Sequence, residues 1–228
     1  MIAHFTLPEQ LLLLSLTKLG GIKQTITGYK SFIEAYLNAA VIIDLIIQKK
    51  ISIENQYLIT KDNSLSNVDY YDYIIKKTSS FSKLIKLNRL ISKSISWSSK
   101  TVFNMLIESL SNKKAINKTK SRFLLIFNKT LFIPDLKFVD SIIQQIRAEI
   151  LEEGKVEPLV VALVLLLDQS KLLKSYFSDY ERDDLNKKIN DLKKDNSKES
   201  NEIILIIESI KQVIDSINTA AMLTSVVH

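Results

Sequence analysis

Apolar residues in this chain recur mostly at helical spacing, and only twice in short runs of strand character. Leu11, Leu12, Leu13, Leu14 and Leu16 follow Thr6-Leu-Pro-Glu9. A threonine three residues ahead of a glutamate, with proline in the first turn, is a capping box. A buried helix is therefore predicted there, ended by Gly20-Gly21. Ser31-Phe-Ile-Glu34 is a second box. The helix it opens runs to about Gln48 and is apolar almost all round, the pattern of a central core helix. Lys50 to Ile53 and Gln56 to Ile59 read as a short hairpin, followed by a polar loop over 60–67.

Helical periodicity resumes near 68–77, 82–94 and 98–112. Asp135 can cap a helix running to about Glu153, with Gly154 at its C′ position. A near-continuous apolar helix is predicted over 157–177, a charged amphipathic one over 179–194, and a last one from Ile203 to about Ser225. No repeat and no sharp break in composition divides the chain. The expected fold is mainly α, one compact domain over residues 1–228 with short β-hairpins.

The second hairpin is the unusual element: Arg122-Phe-Leu-Leu-Ile-Phe-Asn-Lys-Thr-Leu-Phe-Ile-Pro134. Strand alternation puts Phe123, Leu125 and Phe127 on one face and Leu124 and Ile126 on the other, with Leu131, Phe132 and Ile133 across the turn. Surface hairpins normally keep one polar face, and this segment shows none. Either protein covers both faces, or one meets a partner or a lipid.

Charge adds a second asymmetry. Between Lys76 and Lys129 stand thirteen basic residues and one acid, Glu108. The net charge of the whole chain is +6, so the remainder is acidic. The cations nearest the hairpin are Lys113, Lys114, Lys118, Lys120, Arg122 and Lys129. Such a run is most often a solvated helix surface. Two other readings are a nucleic-acid face and an anionic lipid surface. No helix-turn-helix or RNA-binding motif is visible, which disfavours nucleic acid. Cations beside two-faced apolar sequence favour lipid.

The available chemistry is narrow. The chain has no cysteine, and its two histidines, His4 and His228, stand at the ends. That excludes the usual zinc sites and Ser-His-acid triads within the chain's interior. No glycine-rich phosphate loop occurs, and with four glycines and three prolines the chain has few breaks. Glu152-Glu153 and Asp183-Asp184 are adjacent residues that do not converge on a helix. The expectation is a protein without enzymatic activity and without cofactor. No signal peptide is recognisable, and the longest apolar run, Leu159 to Leu167, is far short of the roughly 20 residues that span a bilayer.

Several segments resemble one family. Phe5-Thr-Leu-Pro-Glu-Gln-Leu-Leu-Leu-Leu-Ser-Leu16 is similar to the opening of the Golgi phosphoprotein 3 family. Leu37-Asn-Ala-Ala-Val-Ile-Ile-Asp-Leu45, running into the Lys50 to Ile53 strand, resembles its core helix and first hairpin. Phe123-Leu-Leu-Ile-Phe127 resembles its apolar hairpin, and Leu159 to Phe177 with Asn201-Glu-Ile203 its last helices. The resemblance spans about residues 5 to 217.

It implies a peripheral protein on the cytosolic face of a membrane, at the Golgi in a eukaryote or the plasma membrane in a bacterium. It also implies binding to phosphatidylinositol 4-phosphate, a hairpin for insertion or self-association into homo-oligomers, and a membrane-enzyme client linked to a coat. The chain opens almost at the matching region, so the basic arm that engages the coat is expected to be missing. The family's lipid-headgroup positions fall on Tyr29, Asn38, Lys100 and Phe103. Tyr29 replaces a tryptophan, and Asn38 and Phe103 stand where arginines are expected, which removes most charge-assisted headgroup contacts. The family's Pro-Thr-Gly-Asp loop is replaced by Leu65-Ser-Asn-Val68. General anionic-surface binding is therefore expected over recognition of one phosphoinositide. The alternative is a protein–protein adaptor or self-associating module without specific lipid binding.

Overall fold

A computed structural model describes residues 4–23, 30–55, 57–80, 85–86, 89–90, 101–123, 127–151, 156–194, 212 and 215. Side chains at 121–123 and 127–129 lie outside that description. The described helices are α1 (Leu7–Ser15), α2 (Lys30–Ile47), α3 (Asp69–Ser79), α4 (Thr101–Asn112), α5 (Leu136–Leu151), α6 (Pro158–Gln169) and α7 (Asp179–Lys194). Two antiparallel hairpins interrupt them: β1 (Ile51–Glu54) with β2 (Tyr57–Thr60), and β3 (Ile116–Phe123) with β4 (Phe127–Pro134). The fold is mainly α, as the periodicity predicts.

The uniformly apolar segments are central. α2 packs against α1, α3, α4 and α6, and its residues from Ile33 to Leu45 are buried on every side. Every residue of α1 is buried as well. Leu7, Leu11, Leu37, Ile42, Leu163 and Leu167 belong to one hydrophobic core, to which α3, α4, α5 and the start of β3 contribute. Burying one such leucine contributes about 1.5–3 kcal/mol, so these two helices carry much of the driving force.

Helix starts follow the sequence more closely than helix ends. The expected box is present, and in it Glu9 Oε2 accepts from the Thr6 backbone amide at 2.8 Å. Asp135 Oδ1 accepts from the Lys137 amide at 3.0 Å and so caps α5. The second box is misplaced: α2 starts at Lys30, which puts Ser31 inside the helix rather than at its cap. α1 ends at Ser15, before Gly20-Gly21, because Leu16 and Ile22 pair and the chain turns over 17–21. The predicted single helix over 157–177 is two elements. α6 stops at Gln169 and a 3₁₀ turn follows at Leu173–Ser175.

Lysine does the stopping. Lys49, Lys114 and Lys171 have φ of 60°, 57° and 58°. After α6, the Leu172 amide reaches Leu167 O at 2.8 Å and the Lys171 amide reaches Asp168 O at 2.9 Å. The same pair of bonds closes α4 (Ala115 to Leu110, Lys114 to Ser111) and α2 (Lys50 to Leu45, Lys49 to Ile46). This is the Schellman cap that glycine usually makes. Lysine tolerates the left-handed conformation at a cost of about 1–2 kcal/mol, and its charge sits well beside the negative helix end. A chain with four glycines ends helices this way. The Gly154 position, the 195–200 linker and most of the 82–94 and 203–225 helices lie outside the described residues, although Gln212 and Asp215 are helical.

Asp44 joins the two central helices. Its Oδ2 accepts from the Leu7 amide at 3.1 Å and the Tyr71 hydroxyl at 2.6 Å, and Oδ1 accepts from Gln48 Nε2 at 3.2 Å. Burial holds its carboxyl above the ordinary range; the three hydrogen bonds pull the other way without cancelling it, and nearby Glu9 adds to the rise. A raised folded-state pKa means the folded protein takes up a proton as pH falls through it. Below neutral pH, stability should therefore rise relative to an Asp44→Asn variant, until the unfolded-state pKa near 3.8 is reached. Urea unfolding of both proteins between pH 7 and pH 4 checks this. A constant gap would show that Asp44 does not titrate in that window.

Candidate functional site

The β3–β4 hairpin is longer than its apolar centre suggests. Eight rungs pair Ile116 with Pro134 through Phe123 with Phe127. The expectation of a hairpin confined to 122–134 with no polar face is corrected here. Its first strand reads Asn117-Lys-Thr-Lys-Ser-Arg122, polar at every position. Lys118, Lys120 and Arg122 take alternate positions, opposite Phe132, Thr130 and Asn128. Alternate residues share a face of a strand, so basic positions recur along one face. Lys118 and Lys120 are exposed. Leu124, Leu125 and Ile126, between the last paired residues, lie outside the described residues.

The base of the hairpin is tied to the body. Ala115 and Ile116 are buried, and the Asp135 amide donates to Ala115 O at 2.9 Å. Phe132 turns to the core and meets Phe103 edge-on, with ring centroids 5.8 Å apart. On the far edge of β4 the Phe132 amide donates to Gly20 O at 3.1 Å. Gly20 has φ +78°, and a Cβ there would come within 2.7 Å of the Leu131 Cβ and 3.0 Å of the Phe132 nitrogen. Only glycine fits so close an approach. The turn over 17–21 thus clamps the β4 edge.

The basic residues fall into distinct roles. Lys113 is not free: its Nζ lies 2.6 Å from Glu9 Oε2 and 3.1 Å from His4 O, and 5.5 Å from the Phe5 ring centre. Glu9 is 0% exposed and also accepts from Ser109 Oγ at 2.6 Å. Lys114 is exposed and forms the α4 cap. The side chains of Arg122 and Lys129 lie outside the description.

Of the four headgroup positions implied by the family resemblance, Tyr29 and Lys100 lie outside the described residues. Asn38 is 2% exposed; its amide donates to Glu34 O at 2.7 Å, and its Oδ1 has no partner among the described residues. Phe103 is 6% exposed against Phe132. Neither offers a polar group to a ligand at the surface. A cleft of about 210 Å³ opens between α3 and α4, lined by Asp69, Tyr70, Met105, Glu108 and Ser109 among others. Its two carboxylates would repel an anionic headgroup, so the cation-bearing surface is the hairpin.

Sequence reasoning missed Lys118 and Lys120 as strand residues. The signal was present, because basic residues at 118, 120 and 122 repeat every second position. Among the described residues no group of His, Cys, Asp and Glu is placed to hold a metal ion, and no helix is long and apolar enough to cross a membrane. The family model for Golgi phosphoprotein 3 (GPP34) matches residues 7–216. Comparison with curated proteins finds no match.

Proposed function

Because the chain belongs to the Golgi phosphoprotein 3 family, we propose that it is a non-enzymatic peripheral protein that binds anionic phospholipid through the β3–β4 hairpin. The observation that carries this reading is the run of basic positions at Lys118, Lys120 and Arg122 on the strand leading to Phe123-Leu-Leu-Ile-Phe127. Cations near a membrane surface contribute about 1 kcal/mol each, and apolar side chains at the far end add insertion. The headgroup class is an anionic phosphate ester, without selectivity for phosphatidylinositol 4-phosphate, since buried Asn38 and Phe103 replace two of the family's cations. In this role the protein would hold a membrane-enzyme client at the cytosolic surface.

Vesicle flotation tests it. The protein should float with phosphatidylcholine vesicles containing phosphatidylserine at low salt, float poorly with phosphatidylcholine alone, and be released by rising salt. Phe127→Asp should cut retention at least tenfold. Failure of the anionic vesicles to retain the protein, or full retention of Phe127→Asp, would reject the reading.

The second reading is self-association. The outer edge of β3 pairs with no other described strand, and an unpaired edge can add a strand from a second copy. Lysines on that edge oppose such pairing. Sedimentation showing a dimer without lipid, dissociated by Phe127→Asp, would favour this reading over the first.

A further inference from the structure

We infer that the turn over 17–21 is a second membrane-contact point, with Leu19 as its apolar finger and Lys18 as its headgroup cation. This rests on the membrane reading of the hairpin. Leu19 is 82% exposed, and Lys18 beside it is exposed too. A single exposed leucine means little by itself. Its position gives it meaning. The turn is clamped to β4 through Gly20 O and the Phe132 amide, and Gly20 lies against Leu131 and Ile133. Phe132 turns to the core, so its neighbours Leu131 and Ile133 are on the opposite, outer side of the strand. Both are partly exposed. Leu19 therefore extends an apolar group that already runs along the hairpin.

Charge decides what this group meets. Leu19 has Lys18 beside it, and Thr119 and Asn117, the residues across the strand from Leu131 and Ile133, carry no charge. Leu65, another exposed leucine at 53%, shows the contrast. It sits next to the cleft lined by Asp69 and Glu108. An anionic surface attracts the first leucine and repels the second. Four residues of strand separate Leu131 from Phe127, about 14 Å. Two apolar contacts that far apart fix the tilt of the protein, which one hairpin tip alone would leave free.

The chain has no cysteine, so single cysteines label cleanly. Leu19→Cys, Leu65→Cys and Leu125→Cys would each carry an environment-sensitive fluorophore. With phosphatidylserine-containing vesicles the probe at 19 should brighten and be quenched by a lipid-borne quencher, while the probe at 65 stays aqueous. Leu19→Ser, at an exposed position, should lower vesicle partition roughly tenfold. If the protein binds and the probe at 125 enters lipid while that at 19 stays aqueous, this inference fails and the membrane reading stands. If the unlabelled protein does not bind at low salt, both fail. Brightening at 19 that follows protein concentration without vesicles would assign the surface to a second copy and overturn the inference.

Discussion

Replacing Lys113 with alanine is expected to lower the unfolding free energy by about 3 kcal/mol. Glu9 is 0% exposed, within a helix buried at every residue. Its carboxylate is held by the Thr6 amide at 2.8 Å, Ser109 Oγ at 2.6 Å and Lys113 Nζ at 2.6 Å. Removing the ammonium leaves a buried anion with two neutral donors. Breaking a buried pair from one side costs roughly 3–5 kcal/mol. Lys113 keeps 31% of its side chain exposed, so water can enter the vacated space, which argues for the lower end. Urea unfolding measures the loss. Lys120→Ala is the control, an exposed cation on β3 with no ion pair in the described structure. A Lys113→Ala loss no larger than the control's would mean that the pair adds nothing. The result also guards the functional tests, because weaker membrane binding by a Lys113 variant would reflect a damaged fold.

Lys113 illustrates where the sequence stopped being legible. Its type and its place in a basic run suggest a solvent-facing charge. Its partner, Glu9, is 104 residues away and was read only as a capping residue. Nothing local announces a contact formed by α1 and α4 packing together. Local signals fared better. The uniformly apolar stretch that became α2 could only be central, and α7 spans Asp179–Lys194, the bounds its charge periodicity gives. Helix ends were harder, because Schellman caps built on Lys49, Lys114 and Lys171 carry no glycine to mark them. The hairpin was recognised by its apolar centre but started too late, at Arg122 in place of Ile116. A strand polar on both sides looks like a loop until its partner is known. For the headgroup residues, resemblance pointed to Asn38 and Phe103, and packing has taken both out of reach of solvent.

Reversing Lys118 and Lys120 together should weaken binding to anionic vesicles by about a thousandfold at low salt. Each cation near such a surface contributes about 1 kcal/mol, and a glutamate in its place adds a repulsion of similar size. Two reversals therefore amount to about 4 kcal/mol, a factor of roughly 10³. Both residues are exposed on β3, and neither forms an ion pair in the described structure, so Lys118→Glu/Lys120→Glu should unfold within about 0.5 kcal/mol of the parent. That separates them from Lys113, whose charge belongs to the fold. The effect should shrink steeply with salt, since the Debye length falls to about 8 Å at physiological ionic strength. Lys118 stands nearer the base than Lys120, so the single reversal at 120 should be the larger of the two. Flotation of parent, single and double variants across a salt series would read all three expectations. Binding within threefold of the parent in the double variant would move the contact surface off the hairpin, and equal single effects would mean that β3 lies flat rather than end-on.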